Sequence, residues 1–492
     1  MNNSTPALLY KKIPIPEAFI TEDENGRWGG DIRIGDLTGN GVVDFLVYKS
    51  LGGMKPCFLG AFTLDGEPLW SVGDKQMTAA DVDSTEPTLS FGHPSYGDST
   101  LRHHEDSTVL LSESGVSVLS EGTLRTTSPD RPGPVAICDI DGDGVAEVIC
   151  FLIDASVKGT SRWRLDGIDV VALDGRTGGV KQQAAPLELR RCNGYADGEL
   201  HLSNYVHQRL MIANLSGNAQ PQDFVVKVGN DLLAFNHRLE LLWRYTNRWY
   251  RYPTHSAYIP AVGDLDGDGR DEVHGGHYGL DHDGSVLWEK YLGDNMDAVL
   301  VEDWGSNESR QKVAIMSGWG QVVDAHGNTL LKLGAELVPH GQEIRCGDFR
   351  KDLPGPALVI RYNGHRPDLM VVSHTGQALC QFVVEESPNN TGLETVRWNG
   401  VSGPDLIYSP AALYDGYGRK RFTFPELPPP KGGRMGWYHC FPANVCGDDR
   451  EEVVLYDPYS DEVYIYTPQP LVESAYSGYR HTSRQYNARL MD

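Results

Sequence analysis

GDLDGDGRDEV, running from Gly263 to Val273, is the stretch that decides the fold. It places carboxylates at Asp264, Asp266, Asp268 and Glu272, with glycines at 267 and 269 that let a short loop curl round a cation. Oxygen ligands at alternate positions with a permissive glycine between them are how a hard ion such as calcium is wrapped by a short length of backbone. The loop is not an EF-hand. That motif needs a glutamate at its twelfth position and a helix on each side. Here the twelfth position is Gly275, and the flanks 257–262 and 272–278 read as short extended segments. The loop therefore joins strands.

The loop recurs. DIDGDGVAE, with Asp139, Asp141, Asp143 and Glu147, is a second full copy, and DLTGNGVVD, with Asp36, Thr38, Asn40 and Asp44, is a weaker one. Degenerate copies start at Asn214, Asp303, Asp348, Trp398 and Asn444, which brings the anchors to eight. After each anchor comes an Asp-Gly-like turn followed by an apolar residue, as in FTLDGEPLW ending at Trp70 and LDHDGSVLW ending at Trp288. Asp-Gly between alternating apolar residues is a strong hairpin signal. From Asn214 onward the anchors repeat about every 40 to 50 residues, the period of a propeller blade. The expected fold is all-β, a single β-propeller of eight blades over 25–465, with seven or nine blades as alternatives. An insertion at about 75–129 and an excess at 182–203 decorate one rim, where long loops carry function more often than stability. Residues 1–24 form an N-terminal segment, and 466–492 form a Tyr- and Arg-rich tail expected to pack across or close the ring.

Composition narrows the function. A chain of 492 residues with 55 Gly and 29 Pro suits many short strands and turns. The formal net charge of -24 argues against nucleic acid and anionic membrane as partners. The eight cysteines show no CxxC, and a buried thiol is the expected state of most. The N-terminus lacks an apolar leader-like run. The expectation is cytoplasmic if that terminus is native, and secreted or periplasmic otherwise.

The acidic loops are expected to bind calcium structurally, through Asp139, Asp141, Asp143 and Glu147, through Asp264, Asp266, Asp268 and Glu272, and more weakly through Asp36, Asn40 and Asp44. Just upstream of the anchors stand His207, His255, His340 and His439, with Asp31, Arg131 and Asp297 in comparable places. The innermost strand of every blade starts on one face of the ring, so residues at one repeat phase converge on the central funnel. A ring of His and Asp there is either a polar catalytic floor or the site of an additional divalent ion. Two basic-aromatic clusters adjoin it, 204–209 and 247–255. Aromatic faces stack on sugars and arginine pairs with a carboxylate, a combination suited to an acidic saccharide. Nucleophilic Ser or Cys signatures are missing from the sequence.

In GRWGGDIRIGDLTGNGVVDFLVY, DIDGDGVAEVICF and DLDGDGRDEVHGGHYGLDHDGSVLW the chain resembles the calcium-rich β-propeller polysaccharide lyases. The nearest resemblance is to rhamnogalacturonan lyases, and more loosely to lyases of rhamnose–glucuronate linkages and of ulvan; similar loops occur in FG-GAP-like, integrin-type repeats. The resemblance implies β-elimination at a uronic acid in an acidic, rhamnose-containing oligo- or polysaccharide, leaving an unsaturated uronate. Such a site must neutralise the uronate carboxylate, supply a base and protonate the departing oxygen. The funnel argument offers Arg251 or Arg209 for the carboxylate, His255 or His207 as base and Tyr252 or Tyr205 as acid. His93 and His104 of the inserted loop are contenders, and Trp249, Arg248, His340 and Arg361 are expected to bind substrate. The competing readings are a non-catalytic, calcium-stabilised carbohydrate-binding propeller and a propeller glycoside hydrolase acting on rhamnose-capped glycans.

Overall fold

The computed structural model of the chain is an eight-bladed β-propeller. It describes all residues except 1–4, 24–25, 52–54, 78–87, 94–96, 105–106, 113–114, 122–132, 154–167, 189–194, 197–198, 202–208, 229, 250–253, 386–391, 432–437, 471–477, 480–486 and 488–492.

Each blade is an antiparallel sheet whose strands run outward in chain order. In blade I these are Asp31–Gly35, Asp44–Leu51, Lys55–Thr63 and Pro68–Gly73. The innermost strands of blades II to VIII are Val135–Cys138, Arg209–Ala213, Ala261–Gly263, Val299–Trp304, Glu343–Gly347, Glu394–Val396 and His439–Ala443. The last blade takes its outermost strand from the other end of the chain. Leu8–Pro14 pairs antiparallel with Glu462–Thr467, and Thr5–Pro6 adds in parallel to Lys420–Thr423 of blade VII. The segment set apart in the sequence as 1–24 thus closes the ring by supplying the outermost strand of blade VIII.

Alternation along the strands sends apolar side chains to both faces of each blade, as an all-buried wall requires. The result is eight apolar clusters, one at each junction between neighbouring blades. Phe45 and Phe62 of blade I meet Phe441 and Val454 of blade VIII at the closure. Between blades II and III the buried ring of Phe235 packs on Phe224 and Phe151, and its truncation to alanine would cost about 3–5 kcal/mol. The Trp that ends several hairpins has a defined task. The Trp243 indole donates to the carbonyl of His282 in the next blade at 2.8 Å. Gly284, at φ +82°, lies so close under that ring that a Cβ would sit 2.7 Å from it. Position 284 therefore needs glycine twice over.

Two faces result. The connection from first to second strand, which is the acidic loop, and the hairpin from third to fourth strand open on one side, the loop face. The starts of the innermost strands and the turns between second and third strands open on the other, the funnel face. In seven blades the outer hairpin carries a bulge. The skipped residue is Leu69, Lys181, Leu242, Leu287, Leu330, Leu379 or Arg421 in blades I to VII respectively.

The two insertions build one structure together. Strands Gly115–Glu121, Ser107–Ser112, Gly97–His104 and Thr88–His93 continue through Glu199–His201 and Tyr195–Ala196 into a six-stranded sheet, with Glu199–His201 parallel to Thr88–His93. Both insertions lie between the last strand of one blade and the first of the next, so they leave the ring on its funnel face. The tail engages the opposite side. Tyr479 donates its N–H to Gly41 in the first acidic loop, and Asn487 pairs its amide with both backbone groups of Ile212, each at 2.8 Å. Asn487 satisfies an innermost-strand edge that has no further strand to pair with. It also lines a cavity of about 180 Å³ in the channel, whose wall includes Met211, Glu302, Arg345 and Glu394.

Candidate functional site

On the funnel face, the connections leading into blades IV, V and VI bring His255, Asp297 and His340 together. His255 is fully buried. Its Nδ1 donates to the carbonyl of Ser256 at 3.0 Å, which leaves Nε2 to accept the hydroxyl of Tyr258 at 3.1 Å. The two rings stack with centroids 4.4 Å apart and 14° between planes. Burial lowers the His255 pKa against the opposing pull of Asp297, so the ring is neutral and its Nε2 basic.

Asp297 links this pair to a charged one. Its Oδ1 lies 3.6 Å from His255 Nε2 and accepts the Asn295 amide at 2.7 Å, while Oδ2 faces His340 Nε2 at 3.2 Å. Burial pushes the carboxyl up, but His340, His255 and Asn295 outweigh it and hold Asp297 below the usual carboxylate range. His340 has a second carboxylate, Asp294, 3.7 Å from its Nδ1, a Coulombic contact beyond hydrogen-bond reach. Asp294 and Asp297 raise His340 to about 10, so it is an imidazolium at neutral pH. With its side chain 28% exposed, it is the charged ring that opens on the funnel.

Asp294 is held in a strained conformation, with φ at +55°. Its N–H donates to Tyr291 Oη at 3.0 Å, and its carbonyl accepts His277 Nε2 at 3.1 Å. His277 is neutral, since burial brings it down to about 4. Its ring lies 5.2 Å from Trp249 and 5.1 Å from Tyr291, and Trp249 and Tyr291 stack at 5.9 Å and 25°. Tyr291 is 48% exposed, so these aromatics form a ledge beside the histidines. Trp249 Nε1, Ser256 Oγ and Asn295 Oδ1 are buried with no hydrogen-bond partner, which a ligand or water would complete.

The remaining sequence expectations fall elsewhere. Arg361 is sealed between blades VI and VII, bonded to Glu343 at 2.7 Å and Ser409 at 3.3 Å, so it is part of the wall and not a substrate contact. Arg209 is likewise buried at a strand start, near Tyr48, Arg33 and Asp31 of blade I. Arg248 is exposed and paired with Glu289. His439 joins a second network, 3.1 Å from Tyr456 Oη, whose hydroxyl, with that of Tyr48, donates to Asp31. His207, Tyr205, Arg251 and Tyr252 lie outside the described residues, as do the side chains of His93 and His104. Tyr258, Tyr291 and His277 were not singled out by sequence. The signal for Tyr258 was its place three residues after His255, and His277 and Tyr291 sit on a turn and a strand end that open on the same face.

On the loop face, three sets among the described residues gather ligand atoms within 4.8 Å: Asp139, Asp141 and Glu147; Asp264, Asp266 and Glu272; and Glu272, Asp281 and His282. Glu272 is fully buried. Its Oε2 accepts the Leu265 N–H at 2.6 Å, while Oε1 has no partner and burial raises the carboxyl to about 8. That donor set fits a hard cation. The first loop is bonded within itself in the same way. Asp44 accepts the N–H and hydroxyl of Thr38, and Asp36 accepts the N–H groups of Asn40 and Gly41.

No protein-family model matches the chain, and no curated protein does. Solved structures do. The chain superposes on the rhamnogalacturonan lyase PL11 of Bacillus licheniformis with a TM-score of 0.63 at 17% identity, covering 97% of this chain and 78% of that one. For rhamnogalacturonan lyase YesW the TM-score is 0.55 at 17% identity, covering 93% and 75%. For the exotype rhamnogalacturonan lyase YesX it is 0.53 at 16% identity, covering 93% and 75%. The fold is thus that of the rhamnogalacturonan lyases.

Proposed function

We propose that the chain is a lyase that cleaves a rhamnose–uronic acid linkage by β-elimination, in an acidic, rhamnose-containing glycan. The observation that carries this reading is the chain Tyr258–His255–Asp297–His340–Asp294, set on the funnel face of a fold shared with three rhamnogalacturonan lyases. The proton α to a uronate carboxylate leaves only if the enolate that forms is stabilised. His340, as an imidazolium, is the positive group placed to face that carboxylate. Tyr258 passes its hydroxyl proton to His255 as its oxygen takes the substrate proton, and Asp297 stabilises the imidazolium formed at His255. The same hydroxyl is then the donor for the departing glycosidic oxygen. The Trp249–Tyr291 ledge offers an apolar face to a sugar ring.

In this reading Asp264, Asp266 and Glu272 hold calcium, with Asp268 shaping the loop by accepting the Arg270 N–H at 2.8 Å. The ion's contribution is to neutralise buried carboxylates and hold the rim of blade IV; no proton transfer passes through it.

The test is ultraviolet absorbance during incubation with rhamnogalacturonan, rhamnose–glucuronate glycans and ulvan. Elimination leaves a double bond conjugated to the carboxylate, so a rise on one substrate supports the lyase and names its glycan. A flat trace with reducing sugar released would make the chain a hydrolase, and no product from any of them would favour a binding propeller.

A further inference from the structure

The two intact acidic loops differ in what faces them. In blade II the ammonium of Lys181 lies 2.6 Å from Asp141, 3.0 Å from Asp143 and 2.7 Å from Glu147. The fourth carboxylate, Asp139, is occupied by the N–H groups of Gly142, Asp143 and Gly144. In blade IV no ammonium or guanidinium of the described residues pairs with Asp264, Asp266, Asp268 or Glu272. Arg270 meets Nε2 of His282, the histidine grouped with Glu272 and Asp281, at 2.6 Å. The contrast is sharpest at the glutamate that ends each loop. Glu147 and Glu272 both accept a backbone N–H through Oε2, from Ile140 and Leu265. Glu147 Oε1 takes Lys181, whereas Glu272 Oε1 is buried without a partner.

Strand register explains the difference. Lys181 is the bulge residue of its hairpin, skipped between the pairs Ala172↔Gln182 and Leu173↔Val180. Blade IV has Leu287 at that position, skipped between Gly279↔Trp288 and Leu280↔Val286. Blades I, III, V and VI also have leucine there. The other exception, Arg421 of blade VII, faces Asp415 of its own hairpin at 3.3 Å and has no full acidic loop to enter. A basic residue thus occurs at the bulge next to a full loop once, and there it reaches three carboxylates. An ammonium has three donors and no acceptor, which matches that set.

We infer that Lys181 is the resident cation of the 139–147 loop, standing where a divalent ion would stand in a loop of this sequence, so that blade II is held by protein charge alone. This departs from the sequence expectation, which assigns calcium to both full loops alike. It is independent of whether the 264–272 loop binds the ion, because the test reads differences between variants.

The test is calcium stoichiometry of the full chain by equilibrium dialysis, for the wild type, Asp141→Asn and Lys181→Met, each prepared in calcium. Asp141→Asn is expected to bind as many ions as the wild type. Lys181→Met is expected to bind one more and to melt higher when calcium is added. One ion fewer in Asp141→Asn, or no additional ion in Lys181→Met, would overturn the inference. If Lys181→Met does not fold, Asp141→Asn decides alone. A wild type that binds no calcium while Lys181→Met binds one would support the inference and count against the metal reading of blade IV.

Discussion

On the funnel face Asp297 finds its partners across blades; on the loop face Lys181 finds its partners within its own blade. Asp297 reaches back to His255 and forward to His340, so its charge state depends on two neighbouring connections. Lys181 and the carboxylates it meets belong to one four-stranded sheet. Ion pairs confined to a blade hold that blade. Groups shared between blades, partly open and with pKa values pushed apart, are what proton transfer needs. On the proposed function, chemistry belongs to the funnel face and structural support to the loop face, and each prediction below sets the two against each other.

The largest effect is expected from Tyr258→Phe. Removing the hydroxyl keeps the ring stacked on His255, so kcat on the cleaved glycan should fall about 10²–10⁴-fold with the melting temperature unchanged. Kinetics and thermal melting of the same preparation check both halves. On the loop face the pattern reverses. Chelation should destabilise the wild type by about 3 kcal/mol when calcium had stood at about 100-fold over its Kd. Glu272→Gln should remove that calcium dependence while kcat in the folded protein stays as before.

Smaller effects grade the funnel face. Tyr291→Ala removes the exposed half of the aromatic ledge, and KM should rise about tenfold, the equivalent of about 1.4 kcal/mol of stacking, with less change in kcat. The pH dependence has a definite sign. His340 is held at about 10 in the folded chain against 6.5 for a free histidine, so folding strengthens its hold on the proton. The stability it lends is complete below about 6.5 and is lost as pH rises through about 10. Melting temperature against pH should fall over that window in the wild type, and the fall should shrink in His340→Gln.

Much of the architecture was legible because it repeats. The acidic loop and the Asp-Gly hairpin each recur at blade spacing, and eight anchors correspond to eight blades. The ring closure was not legible, since Leu8–Pro14 belongs to blade VIII only through pairing with Glu462–Thr467 at the far end of the chain. In the site, repeat phase pointed to His255, Asp297 and His340 as residues that enter the funnel together. It said nothing of His277 and Tyr291, because the turn between second and third strands opens on the same face at a different phase. Lys181 was hidden for a related reason. A lysine in the motif position usually held by leucine reads as a change in a hairpin, and only the bulge aims it into a loop far back in the sequence. Arg361 misled because an arginine's charge suggests solvent or substrate, whereas Glu343 and Ser409 give it a place inside the wall.

The most direct test of the account compares wild type, Tyr258→Phe and Glu272→Gln on the glycan that the wild type cleaves. Product absorbance and melting temperature are recorded for each protein, with and without chelator. The account predicts a crossed result: Tyr258→Phe inactive with an unchanged, chelator-sensitive melting temperature, and Glu272→Gln active with a lowered, chelator-insensitive one. An active Tyr258→Phe, or an inactive Glu272→Gln that is still folded, would contradict the division of labour between the two faces.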